Sequence, residues 1–239
     1  MIIIENESTP KELPNLTAVE ENIFTTLKES PTEYRYRNLP ELKYELKVRE
    51  RIISNAKKMN ESDATFSAFE HSKFNPTFWT KTPYGYQLKE SKLPSDAIDD
   101  IFTNSSAYSF ECVTSIVLLY YKSILDTIKP SYFDELYSHL LVWGHNYDDD
   151  LPMITYKGLD YIPGDVYYFF NPDFEDPIWM GENSVFIKED QYFGHGVGLM
   201  THDEMIEALN TLRKKDATKS AYLLEQVTRL KFSDLYRYT

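Results

Sequence analysis

Cysteine occurs once in this chain of 239 residues, at Cys112, and glycine only eight times. A lone cysteine excludes an intramolecular disulfide framework and suits a reducing compartment. Few glycines and no low-complexity tract exclude a fibrous or linker-like protein. Cations are in deficit: 25 Lys and Arg face 38 Asp and Glu, a net charge of −13. That balance, with no basic cluster interleaved with aromatics, excludes nucleic acid and anionic membrane surfaces as expected partners. The longest apolar run is interrupted by Lys122, so no transmembrane span is expected. The start, MIIIENESTPKELP, lacks a basic n-region and a long h-region, and no signal peptide is expected. HExxH, CxxC, P-loop and GxGxxG patterns are missing, so no zinc site or nucleotide cradle is indicated. Asp148, Asp149 and Asp150 lack the alternating ligands and glycine of an EF-hand loop. Ser105 and Ser106 lack a nucleophile-elbow context.

What the chain has in quantity is aromatic side chains, 19 Tyr and 14 Phe among 42% apolar residues, enough for a sizeable core. Helical spacing marks LTAVEENIFTTLKE, with Asn15 or Thr17 as cap, and LPELKYELKVRERIISNAKKM, whose Leu42, Leu46, Val48, Ile52 and Ile53 form one stripe. SKFNPTFWTKTPYGYQLKE carries turn signals and predicts a hairpin or an ordered aromatic loop. PSDAIDDIFTN predicts a short helix, PSYFDELYSHLLVWG another, and HNYDDDLP a polar break. From Met153 the texture changes to strands: MITYKG, DVYYFFN, SVFIKED and QYFGHGVGLM. THDEMIEALNTLRKK opens with a capping box, Thr201 and Glu204, and AYLLEQVTRL predicts a final helix. The expected architecture is one α+β domain over residues 1–239, helices first and an antiparallel sheet after.

The cysteine heads the apolar run FECVTSIVLLYYKSILDTI, long enough for a buried helix. With Ser109 as cap, Cys112 falls in the first turn, where free N–H groups and the helix dipole favour a thiolate. The dipole contributes about 0.3–1 kcal/mol, which lowers a thiol pKa by roughly one unit at best. Glu111 opposes it. A reactive thiolate therefore needs a further base or cation, and without one Cys112 is a small buried hydrophobe. Two downstream residues could supply the need. His195 stands between Gly194 and Gly196 in YFGHGVG, where strand glycines mark close approach of another element, here expected to be a helix N-terminus. Glu182 follows Gly181 at an expected turn beside Trp179, where partial desolvation raises a carboxyl pKa toward the acid/base range. Each also has an ordinary reading, a hairpin histidine and a solvated turn glutamate.

FEC at a helix head, GEN before an apolar strand and YFGHGVG on the next strand together resemble the Bacillus-type spore-coat transglutaminases, protein-glutamine γ-glutamyltransferases. The resemblance runs from LPELKYELKVR at Leu39 through FW at Trp79, LPSDAIDDI and FECVTSIVLLYY to RKKDATKSAYLLEQVTRL, ending at Leu230. It implies a compact papain-like cysteine-enzyme fold with the nucleophile helix packed on an antiparallel sheet, needing no cofactor, Ca²⁺ or prosegment. Carried over, Cys112 is the nucleophile, Glu182 its acid/base partner, His195 the third member, and Glu111 an auxiliary carboxylate. Trp179, Phe193, Tyr167 and Phe169 are expected to line a dry substrate passage. Implied partners are glutamine- and lysine-bearing proteins, those of the spore coat, with synthesis in the mother-cell cytoplasm and deposition on the coat. VWGHNYDDDLP departs from the family in spacing and acidity, and no pocket role is assigned to Trp143 or His145.

Overall fold

The computed structural model describes residues 1–5, 7–144, 146–158 and 160–239. His145 lies outside the described residues. Strand β1 (Ile2–Ile4) precedes helix α1 (Ala18–Glu29) and pairs in parallel with β2 (Tyr34–Tyr36). Thr17, one of the two expected caps, closes a capping box with Glu20 at the start of α1. Asn38 caps α2 (Leu39–Asn60) by accepting from Glu41 N–H at 2.9 Å, and Pro40 sits where a missing N–H costs nothing. Its stripe, Leu42, Leu46, Ile52 and Ile53 included, is buried as the spacing requires. Next come β3 (Thr65–Phe66), the aromatic hairpin β4 (Trp79–Thr82) and β5 (Gly85–Leu88), and α3 (Pro94–Thr103). Strand β6 (Ser109–Phe110) leads directly into α4 (Cys112–Leu125). α4 buries every residue except Val113 and Lys122, so it is apolar all round and runs through the core.

The second half begins with α5 (Pro130–Leu136) and β7 (Leu141–Val142). Strands β8 (Met153–Lys157), β9 (Val166–Phe170), β10 (Gly181–Lys188), β11 (Gln191–Gly194) and β12 (Gly198–Met200) follow, then α6 (His202–Asn210), β13 (Tyr222–Leu230) and α7 (Phe232–Tyr236). Six of these strands form an antiparallel sheet in the order β12-β11-β10-β9-β13-β8. α4 packs on β10 and against α2 and α3, so the cysteine helix does lie on an antiparallel sheet. A smaller apolar layer under α6, with Met205 and Leu209 at its centre, covers the other face.

Several expectations are corrected. AYLLEQVTRL is not a helix but strand β13, inserted between β9 and β8. Its local pattern suits a helix, but both of its edges find ladder partners, and non-local pairing overrides local preference. The helix expected through PSYFDELYSHLLVWG ends at Leu136, because Leu141–Val142 pairs with β5 instead. Ser109 is not the cap of α4; it is in strand β6, and Glu111 caps. GEN is not a turn but the opening of β10, paired with β9. QYFGHGVGLM is a hairpin, with His195 between β11 and β12.

The joint between α2 and the sheet is ionic. Arg49, fully buried, donates to Glu45 at 2.8 Å and to Asp165 at 2.7 Å, while Arg229 of β13 donates to the other Asp165 oxygen at 2.5 Å. Gly164, at φ +87°, lets the chain pass against Arg49, where a Cβ would meet that residue at 3.2 Å. Removing the shared carboxylate leaves two guanidinium groups without their common partner. Asp165→Ala is expected to cost about 3–5 kcal/mol in urea unfolding. A loss below about 1 kcal/mol, the range of an exposed pair, would show that the joint is held by packing alone.

Candidate active site

Cys112 is the first residue of α4, and Glu111 immediately before it is the N-cap. The Glu111 carboxylate accepts from Val113 N–H at 2.5 Å and Thr114 N–H at 3.0 Å, and also from the Thr114 hydroxyl. Thr114 Oγ1 in turn accepts from Gly144 N–H at 2.8 Å, tying the helix head to the segment after β7. A negative charge therefore occupies the end of the helix whose dipole was expected to favour a thiolate. Burial pushes the Cys112 thiol well up, and Glu182 and then Glu111 push it further, against donors from Asn183. Cys112 is a protonated thiol at neutral pH, its Sγ set 3.9 Å from the Gly181 carbonyl oxygen.

Glu182 is fully buried within β10 rather than at a solvated turn. Burial lifts its carboxyl from the usual range to about 8, aided by Glu111 and opposed by the N–H groups of Gly196 and His195 and by the Cys112 thiol. Oε1 accepts from Gly196 N–H at 3.3 Å, while among the described residues buried Oε2 has no partner at ordinary hydrogen-bond distance. The glycines of YFGHGVG make room here as a close approach requires. A Cβ on Gly194 would meet Glu182 Cγ at 2.6 Å, and one on Gly196 would meet the Trp179 ring at 2.9 Å. What approaches the glycines themselves is the glutamate and an indole, while the imidazole between them sits against the segment that leads into the head of α4.

His195 stands beside this pair. Its ring stacks on Phe110 at 4.6 Å between centroids, two residues before Cys112, and its Nε2 lies 3.4 Å from the Thr65 carbonyl oxygen. Burial lowers its pKa to about 4, against the main-chain groups of Thr65 and Phe110, so the imidazole is neutral at neutral pH. Its main-chain N–H favours the charged form of Glu182.

A cavity of about 520 Å³ opens at Cys112, lined among others by Tyr147, Tyr168, Ile178, Met180 and Asn183. None of the four residues expected to line a passage does so. Tyr167 and Phe169 point to the opposite face of β9 and pack in the layer beneath α6, because side chains alternate and it is Val166 and Tyr168 that face the cavity. Phe193 is buried in the main core, and Trp179 stacks on Phe66 at 4.5 Å. Reading GEN as a turn hid this parity, since Asn183 pairs with Tyr168 across the ladder. A larger cavity of about 690 Å³ lies beside Tyr34, Glu45 and Arg229, away from Cys112. Among the described residues no group of three or more His, Cys, Asp or Glu is arranged to hold a metal ion. Trp143 packs on Phe69 at 4.4 Å.

A thiol at one end of a cavity, with a high-pKa carboxyl buried beside it, suits acyl transfer by a cysteine. The family model for protein-glutamine gamma-glutamyltransferase matches residues 1–239. The chain belongs to this family. It is similar to the protein-glutamine gamma-glutamyltransferase of Bacillus subtilis strain 168, 37% identical over 244 residues that cover 99% of both chains. The enzyme of Halalkalibacterium halodurans is 40% identical over 215 residues, 89% of this chain and 76% of that one. Among solved structures, a transglutaminase from Geobacillus stearothermophilus without its C-terminal extension matches with a TM-score of 0.81 and 42% identity, covering 84% of this chain and 98% of that one. The transglutaminase assignment thus covers the helices, the sheet and the cysteine helix alike.

The Glu182 shift also has a stability consequence. A carboxyl whose pKa rises on folding binds more protons folded than unfolded between about 4.5 and 8, so stability falls as pH rises through that window. Glu182→Gln removes the ionisation. The variant is expected to gain on the wild type by a few kcal/mol (order of magnitude) between pH 5 and pH 8.5 in urea unfolding. An equal stability difference at both pH values would mean that Glu182 is not held at a raised pKa.

Proposed function

We propose that Cys112 is the nucleophile and Glu182 the acid/base of a protein-crosslinking transglutaminase, with His195 and Glu111 positioning them. The carrying observation is a thiol at the end of a cavity with the Glu182 carboxyl buried beside it. The ionised carboxylate of Glu182 takes the thiol proton as Sγ attacks the γ-carboxamide carbon of a protein glutamine. The carboxyl then gives that proton to the departing nitrogen, which leaves as ammonia, and a thioester remains on Cys112. A lysine ε-amine enters, loses a proton to Glu182 and attacks the thioester carbon. The C–S bond breaks, the sulfur is reprotonated, and an Nε-(γ-glutamyl)lysine bond is released.

A carboxyl near 8 is matched to this double duty at neutral pH, where a free amine is less than about 0.1% neutral and must be relieved of a proton. His195 as an imidazolium is disfavoured as the acid by its low pKa. Its ring, anchored on Phe110 and Thr65, fixes the main chain that holds Glu182. Glu111 fixes the helix head and therefore Sγ. Burial of Cys112 limits the water that would hydrolyse the thioester.

The reading extends to substrates, place and ancestry. Glutamine- and lysine-bearing proteins are the substrates that the chemistry demands. The resemblance supports coat proteins of the spore as the natural ones, with synthesis in the mother cell, deposition on the coat and independence of Ca²⁺. A papain-like relationship is supported by a cysteine at a helix head packed on an antiparallel sheet that bears the acid/base residue.

Mass spectrometry of a glutamine-containing protein incubated with the enzyme and a primary amine tests the scheme, with ammonia followed in parallel. Amine addition at glutamine is expected, falling to background in Cys112→Ala and by at least about 10²-fold in Glu182→Gln. A gain of about one dalton at glutamine, the deamidation product of a base-assisted attack by water, would make the protein a hydrolase. Retained transfer in Cys112→Ala would remove Cys112 from the chemistry.

A further inference from the structure

One group at the cavity end has no part in the proton transfers. Asn183 follows Glu182 on β10, and its side-chain Nδ2 donates to Cys112 Sγ at 3.6 Å. Its main-chain N–H acts on the same sulfur, and both favour the anionic form. Asn183 also lines the cavity, so these donors face the space that a substrate carbonyl must enter. In the resting enzyme they are poorly used, because a neutral thiol is a weak acceptor. A half-used donor pair aimed at a nucleophile finds its proper partner only when negative charge develops beside the sulfur. Glu182 cannot serve that charge, since it is occupied with the proton. The nearby Tyr168 phenol, raised to about 12 by burial first and by Cys112 and Glu182 after it, stays neutral and adds no competing charge.

We propose that Asn183 is a catalytic residue that binds the oxyanion of both tetrahedral intermediates, an assignment that rests on Cys112 being the nucleophile. As the Sγ–C bond forms, the carbonyl π pair moves onto oxygen, one bond out from the sulfur and into the reach of the Asn183 donors. When the pair returns, the C–N bond breaks and ammonia leaves with the proton held by Glu182. In the second half the lysine nitrogen adds, the same oxygen is held again, and the returning pair expels the sulfur. The side-chain amide that contacts Sγ at rest is thereby the group that receives the substrate oxygen. β10 is paired with β9 at Asn183 itself and with β11 from Ser184 onward, which fixes the donors before the substrate arrives.

The test compares Asn183→Ala and Asn183→Leu, the second keeping shape while removing the side-chain donor. Two rates are read on each folded variant: amine transfer to a glutamine peptide, as kcat/KM, and the pH-independent limiting rate of Cys112 alkylation by iodoacetamide. Alkylation displaces iodide at a saturated carbon and develops no carbonyl oxyanion. Transfer is expected to fall ~10²–10³-fold while alkylation changes by less than ~10-fold. An equal fall in both rates would reduce Asn183 to a residue that only positions the thiol, and overturn the proposal. Transfer within ~3-fold of the wild type would overturn it outright, being far below the loss of an oxyanion donor. Cys112→Ala run alongside separates the two levels: transfer surviving there refutes the nucleophile, whatever the Asn183 variants do.

Discussion

The structure is organised around a thiol and a carboxyl that must share a dry space. Cys112 and Glu182 are both buried, and among the described residues Glu111 adds a further push on both pKa values. Such a pair raises the pKa of both members, so the site rests uncharged or with one negative charge. This differs from a cysteine enzyme that keeps a stable thiolate beside a cation. In the proposed scheme the thiolate exists only while its proton is on Glu182. The arrangement suits a two-stage acyl transfer, because the same carboxyl must accept a proton from the nucleophile and later from an amine. It also explains why glycines flank His195. Gly194 and Gly196 are where Glu182 and Trp179 lie, and a methyl group at either would crowd them at 2.6 and 2.9 Å.

The scaffold holds this pair from two sides. α4 is buried along nearly its whole length, which fixes the direction of its first residue, and Glu111 and Thr114 pin its head to Gly144. The sheet supplies the other half through β10, and the joint between α2 and the sheet is locked by Arg49, Asp165 and Arg229. A buried ionic joint is costly compared with apolar packing, and its advantage is a defined geometry. α2 packs on both α4 and β10, so the joint bears on the relative placement of cysteine and glutamate.

What was legible in the sequence was local. The capping boxes at Thr17 and Thr201, the stripe of α2, the buried cysteine helix and the hairpin glycines are each encoded within a few residues of themselves. Cys112, Glu182 and His195, far apart in sequence, were linked as a candidate site only through resemblance. What failed was non-local. β13 carries a helical pattern and becomes a strand because β8 and β9 each offer it an edge. The faces of β9 were assigned wrongly because parity counts from a strand's neighbours. Once GEN is known to be a strand, Asn183 falls opposite Tyr168, and Tyr167 and Phe169 must face away.

The cap explains why a helix dipole alone was a poor guide to this cysteine. A dipole is worth about 0.3–1 kcal/mol to a nearby charge, whereas a full carboxylate at the same end outweighs it. Glu111 takes the N–H groups of Val113 and Thr114 in the first turn, while Asn183 from the sheet donates to the sulfur. A thiolate stabilised by the dipole would be present continuously, open to oxidation and to idle hydrolysis of whatever acyl group it captured. On the proposed mechanism, a thiol held neutral reacts only when Glu182 beside it is ionised and an electrophile lies in the cavity. For an enzyme whose product is an unselective-looking amide bond between two proteins, that coupling of activation to occupancy restrains side reactions at the source.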